Sequence, residues 1–172
     1  RYSLSEIGRW ITSAKRLRLE SAVTMSIRRS FCPNWDQNRF NCGVELVMPE
    51  ALRVHVGKPL KNIRITAGDR SVRGEATLTE HGLEGNAVYP VVPAIREALA
   101  RGQEATLIID LKPDLTEAEL ERRLAGAAWK ERMATVKLDR VQVALLKAFT
   151  PMHRFIDGST LISDVKQLRV PV

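Results

Sequence analysis

Residues 60–79 read LKNIRITAGDRSVRGEATLT, and the fold is decided here. Ile63, Ile65 and Ala67 alternate with Arg64 and Thr66, and beyond Gly68-Asp69-Arg70 the apolar Val72, Ala76 and Leu78 alternate with Arg73, Glu75 and Thr77. Side chains of an extended chain point to opposite faces in turn, so a period of two means one dry face and one wet face. Two such runs joined by Gly-Asp predict an antiparallel hairpin. Gly74 falls in the inward row, where a missing side chain permits a bulge or a close backbone approach.

Downstream, Glu80-His81-Gly82-Leu83-Glu84-Gly85-Asn86 forms a glycine-rich junction leading to a helix over Pro93–Arg101, closed by Gly102. Pro93 suits the first turn of that helix, and Pro90 is expected before it. Ala105–Leu111 is apolar on both faces and predicts a central, covered strand. Thr116 and Glu119 then have capping-box spacing, with Leu115 and Leu120 placed for a hydrophobic staple, and start a helix to about Ala125. Further helices are expected near Ala128–Val136, from Asp139 to about Phe149 with Val141, Leu145 and Phe149 on one face, and after Ser159 with Leu161, Val165 and Leu168 in register. Pro151 and Gly158 separate the last two.

Upstream, Ser3–Glu6 fits a capping box for an amphipathic helix over 4–19, and Val23, Met25 and Ile27 alternate as a strand. Residues 32–43 have loop composition, and a short strand around Gly43–Met48 ends at Pro49. Strands followed by helices, without a repeating βαβ pattern, predict an α+β fold: a small antiparallel β-barrel or sheet followed by a short helical bundle. The divisions are 1–40, an N-terminal helix and strand; 41–114, a β-rich part with one helix; and 115–172, a helical part.

At 172 residues, with 44% hydrophobic and 27% charged, the chain can bury a core without disulfides. Two cysteines, Cys32 and Cys42, are too few for a secreted scaffold, so a cytoplasmic location is expected. No apolar run is long enough to span a membrane. The first residue is Arg1 rather than Met, which fits a fragment or a processed product. Of the net charge of +7, residues 1–40 carry +5, leaving the rest nearly balanced. That balance and 5% aromatic residues argue against a nucleic-acid partner, although a basic nucleic-acid-binding module remains an alternative.

The motifs of several chemistries are missing. There is no Gly-x-Gly-x-x-Gly; Gly82 and Gly85 match only its second half. There is no phosphate-binding Walker loop, no Gly-x-Ser-x-Gly and no Cys-x-x-Cys, and His55, His81 and His153 have no second ligand nearby in sequence, so no metal is expected.

From Asn41 onward the residues follow a known pattern: Asn41-Cys42-Gly43, Gly57-Lys58-Pro59-Leu60-Lys61-Asn62, Val72-Arg73-Gly74-Glu75, Thr79 through Tyr89, Arg96-Glu97-Ala98-Leu99, Ile109 through Asp114, Val143-Ala144-Leu145-Leu146 and Leu168 through Val172. In order and spacing they resemble the insert domain of bacterial NAD(P)/FAD-dependent oxidoreductases of the aminoacetone oxidase type. The resemblance implies a small barrel and a helical subdomain that interrupt a Rossmann-like domain, shaping the substrate side of a flavin site. FAD belongs to the complete family protein and is not expected on this chain alone, which would be inactive by itself. The implied partners are the FAD-binding domain of the same parent protein and a small-molecule substrate; a standalone interaction domain is the other alternative. Residues 1–38 match poorly, and Pro90 departs from the family pattern.

The candidate site is Glu80, His81, Gly82, Glu84, Gly85 and Asn86. A turn from strand towards helix can aim backbone N–H groups and a helix dipole at an electron-rich group. There Gly82 and Gly85 would allow close approach, and His81 or Glu84 would hydrogen-bond. The competing reading is that both glycines only turn the strand. Tyr89 and Trp129 are candidates for lining a cavity, and Lys58 and Lys61 for meeting an anion; core packing and a solvated loop are the simpler roles.

Overall fold

Inward-facing side chains of residues 59–78 hold the sheet together. The computed structural model describes residues 43–157 and 160–172, so the expected helix over 4–19, the strand near Val23 and both cysteines lie outside the described residues. Strands β1 (Val44–Glu45), β2 (Pro59–Ala67), β3 (Arg70–Leu78), β4 (Gly82–Glu84), β5 (Thr106–Asp110) and β6 (Leu168–Pro171) form one antiparallel sheet in the order β1-β4-β3-β2-β5-β6. It curls as a half-barrel around Leu60, Ile63, Ile65, Leu78, Leu83, Leu107 and Ile109, all fully buried.

The hairpin forms as its alternation requires. Ala67 pairs with Arg70 across the two-residue loop Gly68-Asp69, and Gly68 takes the positive φ of 58° that the first loop position needs. The ladder carries an irregularity that the alternation did not announce: Leu60 faces Ala76 and Ile63 faces Gly74, so β2 spends one extra residue. Asn62 absorbs it at φ 51°, which asparagine tolerates better than most side chains. Gly74, opposite the bulge, makes the close approach expected of it, since a Cβ there would stand 2.5 Å from the Asn86 Oδ1.

Seven helices pack beside the sheet among the described residues: α1 (Glu50–Arg53), α2 (Val92–Ala100), α3 (Glu117–Leu124), α4 (Trp129–Thr135), α5 (Arg140–Phe149), α6 (Met152–Asp157) and α7 (Leu161–Lys166). Pro90 sits in a single 3-10 turn, Tyr89–Val91, that leads into α2, so its missing N–H costs nothing. Gly102 follows the helix at φ 71°. At α5 the Asp139 carboxylate accepts from Gln142 N while the Gln142 side chain accepts from Asp139 N, a complete capping box. The box expected at α3 is only half made. Thr116 Oγ1 accepts from Glu119 N, whereas the Glu119 carboxylate turns to Arg123, 2.6 Å away. An arginine one turn later offers a charge-assisted bond that a neutral backbone amide does not.

Three other expectations are corrected. The strand near Gly43–Met48 shortens to Val44–Glu45 because Pro49 opens α1 directly. Residues 151–158 are more than a separator: they contain α6, in which Phe155 N donates to the Pro151 carbonyl. The last helix ends at Lys166, and Leu168 begins β6, where Leu168 pairs with Ile109 and Val170 with Leu107. Thus β5 is central, between β2 and β6, with Leu107 and Ile109 buried; its outward Thr106 and Ile108 stay half-buried rather than covered. Val172 N donates to the Ala105 carbonyl, which fixes the ladder so that Leu168 and Val170 turn their main-chain groups towards β5 while Arg169 and Pro171 turn theirs outward.

Helices and sheet are joined by polar contacts at their seam. Gln142 Nε2 donates to the Leu111 carbonyl at 3.2 Å. Lys166 Nζ, only 13% exposed, lies 2.6 Å from Asp110 Oδ2 and donates to the carbonyls of Lys112 and Leu115. Arg154 and Thr160 both bind the Asp164 carboxylate on α7. Breaking a buried pair by removing one partner strands the other charge, so Lys166→Met is expected to cost on the order of 3 kcal/mol in urea unfolding. A change under about 0.5 kcal/mol would show that the pair is no more than a surface contact.

Candidate functional site

The junction proposed from sequence contains a strand rather than a simple turn. Thr79 N and Thr79 Oγ1 both bond to the Gly82 carbonyl, and Gly82 N donates to Thr79 Oγ1, closing a tight turn with Glu80 and His81 exposed at its tip. Gly82, Leu83 and Glu84 then run as β4 between β1 and β3. Gly85 and Asn86 lie at its far end, roughly 10 Å away at about 3.4 Å per residue. The six residues therefore occupy two ends of one strand and do not meet in one concavity.

Both glycines face neighbouring backbone. A Cβ on Gly82 would collide with the Val44 carbonyl, and one on Gly85 would stand 2.7 Å from the Glu75 carbonyl. Their lack of a side chain lets β1 and β3 close on β4. Asn86 has a local task as well, its Oδ1 accepting from Glu75 N at 2.7 Å. Glu84 is half-buried, with its Cγ over Gly43. The amides expected to face an anion are largely committed: Ala87 N donates to Glu75 O, and both Val88 N and Tyr89 N donate to Gly85 O. The helix dipole is likewise displaced, because the 3-10 turn separates the junction from α2. Glu80 and His81, at the tip of the turn, are exposed.

The tip has an apolar neighbourhood. Leu46 N donates to the His81 carbonyl, which sets Val47 beside the turn, and Gly57 N donates to the Leu78 carbonyl, which brings in the segment after α1. Val47 is 80% and Val54 78% exposed. Two large aliphatic side chains left in water on adjoining connections were not anticipated, since 44–58 showed no periodicity to separate inward from outward positions. Lys58 and Lys61 are exposed here and near the bulge; Tyr89 is half-buried.

Two further features lie elsewhere. An open groove of about 550 Å³ sits at the opposite end of the hairpin, lined by Asp69, Glu97, Arg101 and Glu104 among others, with Arg101 and Glu97 paired at 2.8 Å on its wall. On the outer face of the sheet Asn62, Arg73 and Asp114 form a closed set: Arg73 donates from Nε and Nη2 to Asn62 Oδ1, and both Asn62 and Arg73 donate to Asp114. The Asn62 amide first, and then Arg73, hold the Asp114 carboxyl below the usual carboxylate range. Burial lowers Lys112, partly offset by Asp139 and Asp114. No group of three or more His, Cys, Asp or Glu able to hold a metal occurs among the described residues.

Gly82→Ala is expected to lower stability by about 1–3 kcal/mol through overpacking against β1, while Glu80→Ala stays within about 0.5 kcal/mol; urea denaturation distinguishes them. A tolerated Gly82→Ala would return the glycine to a role outside the sheet. Because the Asp114 carboxyl is lowered in the folded chain, its link to Arg73 and Asn62 stabilises at neutral pH and is lost as pH falls through the carboxylate range towards that lowered value. Unfolding midpoints measured from about pH 7 to about pH 3 should show a fall in the parent chain that is smaller in Asp114→Asn.

Comparison with known proteins gives a single family: residues 41–148 match the model described as the HI0933-like protein barrel and H2TH domain. No curated protein matches the chain. The matched span begins just before β1 and ends within α5, so it takes in β1 to β5 and the helices α1 to α5 in the order barrel, then helices. With well over half its length inside that span, the chain belongs to the HI0933-like barrel and H2TH domain family, an insert domain of a flavoprotein family.

Proposed function

We propose that this chain is the substrate-side insert domain of an FAD-dependent oxidoreductase and is inactive by itself. The family membership of residues 41–148 carries the reading. The flavin and its phosphates belong to a nucleotide-binding domain of the same parent protein, and a small-molecule substrate lies between the two. The backbone just after the junction is in keeping with this division of labour, since Ala87 N, Val88 N and Tyr89 N all donate to the domain's own carbonyls. NAD(P)H serves as the reductant of the complete protein. A cytoplasmic location belongs to this reading on the low cysteine count; no described helix is long and apolar enough to cross a membrane.

The partner-facing end is the one bearing Val47, Val54, Glu80 and His81. Exposed apolar side chains beside polar ones are a feature of contact surfaces, and Val47 and Val54 are both largely exposed on segments bonded to the backbone of this turn and of β3. Of the six candidate residues, Glu80 and His81 are assigned to that contact, while Gly82, Glu84, Gly85 and Asn86 hold the strand behind it.

The test is reconstitution. The purified 172-residue chain should be colourless and retain no FAD after gel filtration, whereas the complete parent protein should be yellow and reducible by NAD(P)H. Val47→Asp with Val54→Asp in the parent protein should weaken activity by about tenfold or more without unfolding the insert. Stoichiometric FAD on the isolated chain, reducible there, would overturn the assignment.

A further inference from the structure

The outer face of the β2–β3 ladder carries an arrangement that the domain's own stability does not call for. Arg64 and Arg73 are direct cross-strand partners, as are Thr66 and Ser71 one pair further along. Opposed residues on an antiparallel ladder share a face with Cβ atoms about 5 Å apart, and successive pairs on that face are about 7 Å apart. The Thr66 and Ser71 hydroxyls are in contact at 2.9 Å, as this geometry requires. A block of sheet about 5 by 7 Å thus presents two guanidinium groups and two hydroxyls. Like charges set directly opposite each other are destabilising.

The neighbouring carboxylates do not relieve this. Arg73 is held by Asn62 and Asp114 through Nε and Nη2, leaving Nη1 without a bond to the described residues. Arg64 makes no side-chain hydrogen bond or ion pair among the described residues and is exposed. Its partner on the other side, Asp110, is occupied by Lys166 Nζ at 2.6 Å and by Lys112 N at 2.9 Å. Asp114 is bound to Arg73, and Glu75 stands one place beyond Arg73 on the same face, which leaves donors at Arg64, at Arg73 Nη1 and on the two hydroxyls. The grip of Asn62 and Asp114 also fixes the orientation of Arg73, so little side-chain freedom is lost when an anion arrives.

We propose that this face is an oxyanion site for a phosphate group, with Arg64 and Arg73 Nη1 as the charged donors and Thr66 and Ser71 as hydroxyl donors. Paired guanidinium forks match phosphate geometry, and charge-assisted bonds to it are about twice as strong as neutral ones. The bulge at Asn62 and the hairpin loop set the register that brings the four side chains together. The site is independent of the flavin assignment and is read on the chain without flavin.

The experiment follows Arg64 and Arg73 Nε–Hε signals by NMR in the full 172-residue chain at fixed ionic strength while inorganic phosphate is added, with a nucleoside monophosphate as a second probe. Saturable shifts at both arginines are expected, about tenfold weaker in Arg64→Gln and partly restored in Arg64→Lys, with Arg122→Gln, an exposed arginine on α3, unchanged. Tighter binding of the nucleotide than of phosphate assigns the group to a larger ligand lying along the sheet, and equal binding assigns it to the free ion. Shifts that do not saturate, or affinities equal in Arg64→Gln and Arg122→Gln, would reduce the face to unspecific cationic surface and overturn the proposal. Arg64 is exposed, so its substitution leaves the core intact.

Discussion

One buried ammonium group ties the two halves of this domain together. Lys166 Nζ has three hydrogens, and they go to the Asp110 carboxylate and to the carbonyls of Lys112 and Leu115. Asp110 ends β5, the segment 111–115 launches α3, and Lys166 ends α7, so one side chain links the sheet to a helix inside the matched span and to one beyond it. A charge withdrawn from water is tolerable only where every donor is satisfied, and this one is. The carboxylate it meets is satisfied in turn, its second oxygen accepting from Lys112 N.

Much of the sheet was legible because burial imposes a period of two wherever one face is wet. Residues 63–78 obey it, and the Gly68-Asp69 loop confirms the register. Capping chemistry was equally readable at Asp139, whose box is complete, and half readable at Thr116, where Arg123 competes for Glu119. The C-terminal strand was not legible. Leu161, Val165 and Leu168 fit one helical face, yet Leu168 and Val170 also fit an alternation, and over so few residues the two periods cannot be separated. The distant β5 decides between them by offering an open ladder edge. Asn62 similarly gives no local sign that it will bulge.

Of the candidate site, the local conformation was partly legible, as the two glycines show. Gly82 and Gly85 attract attention because glycine permits close approach, and close approach is what they provide. What they admit is the backbone of β1 and β3, a fact that depends on strand order and not on local composition. The family resemblance and the alternation argument agree on the barrel, because a sheet with one apolar face must curl over a core or pack on another layer. The exposed valines Val47 and Val54 escaped notice since an isolated surface aliphatic is ordinary.

Among the described residues β6 is the last strand of the sheet on its side, which has a consequence for behaviour in concentrated solution. Strands at the border of a sheet invite recruitment of foreign chains through their unused main-chain groups. Here Pro171 has no amide hydrogen, Gln167 N is already taken by Ser163, and Arg169 supplies the sole outward donor while carrying a charge. A second molecule arriving alongside would find a single amide donor beside the outward carbonyls of Arg169 and Pro171, and would meet a repulsive guanidinium there. A proline and a charge thus blunt this margin against the stacking of further chains.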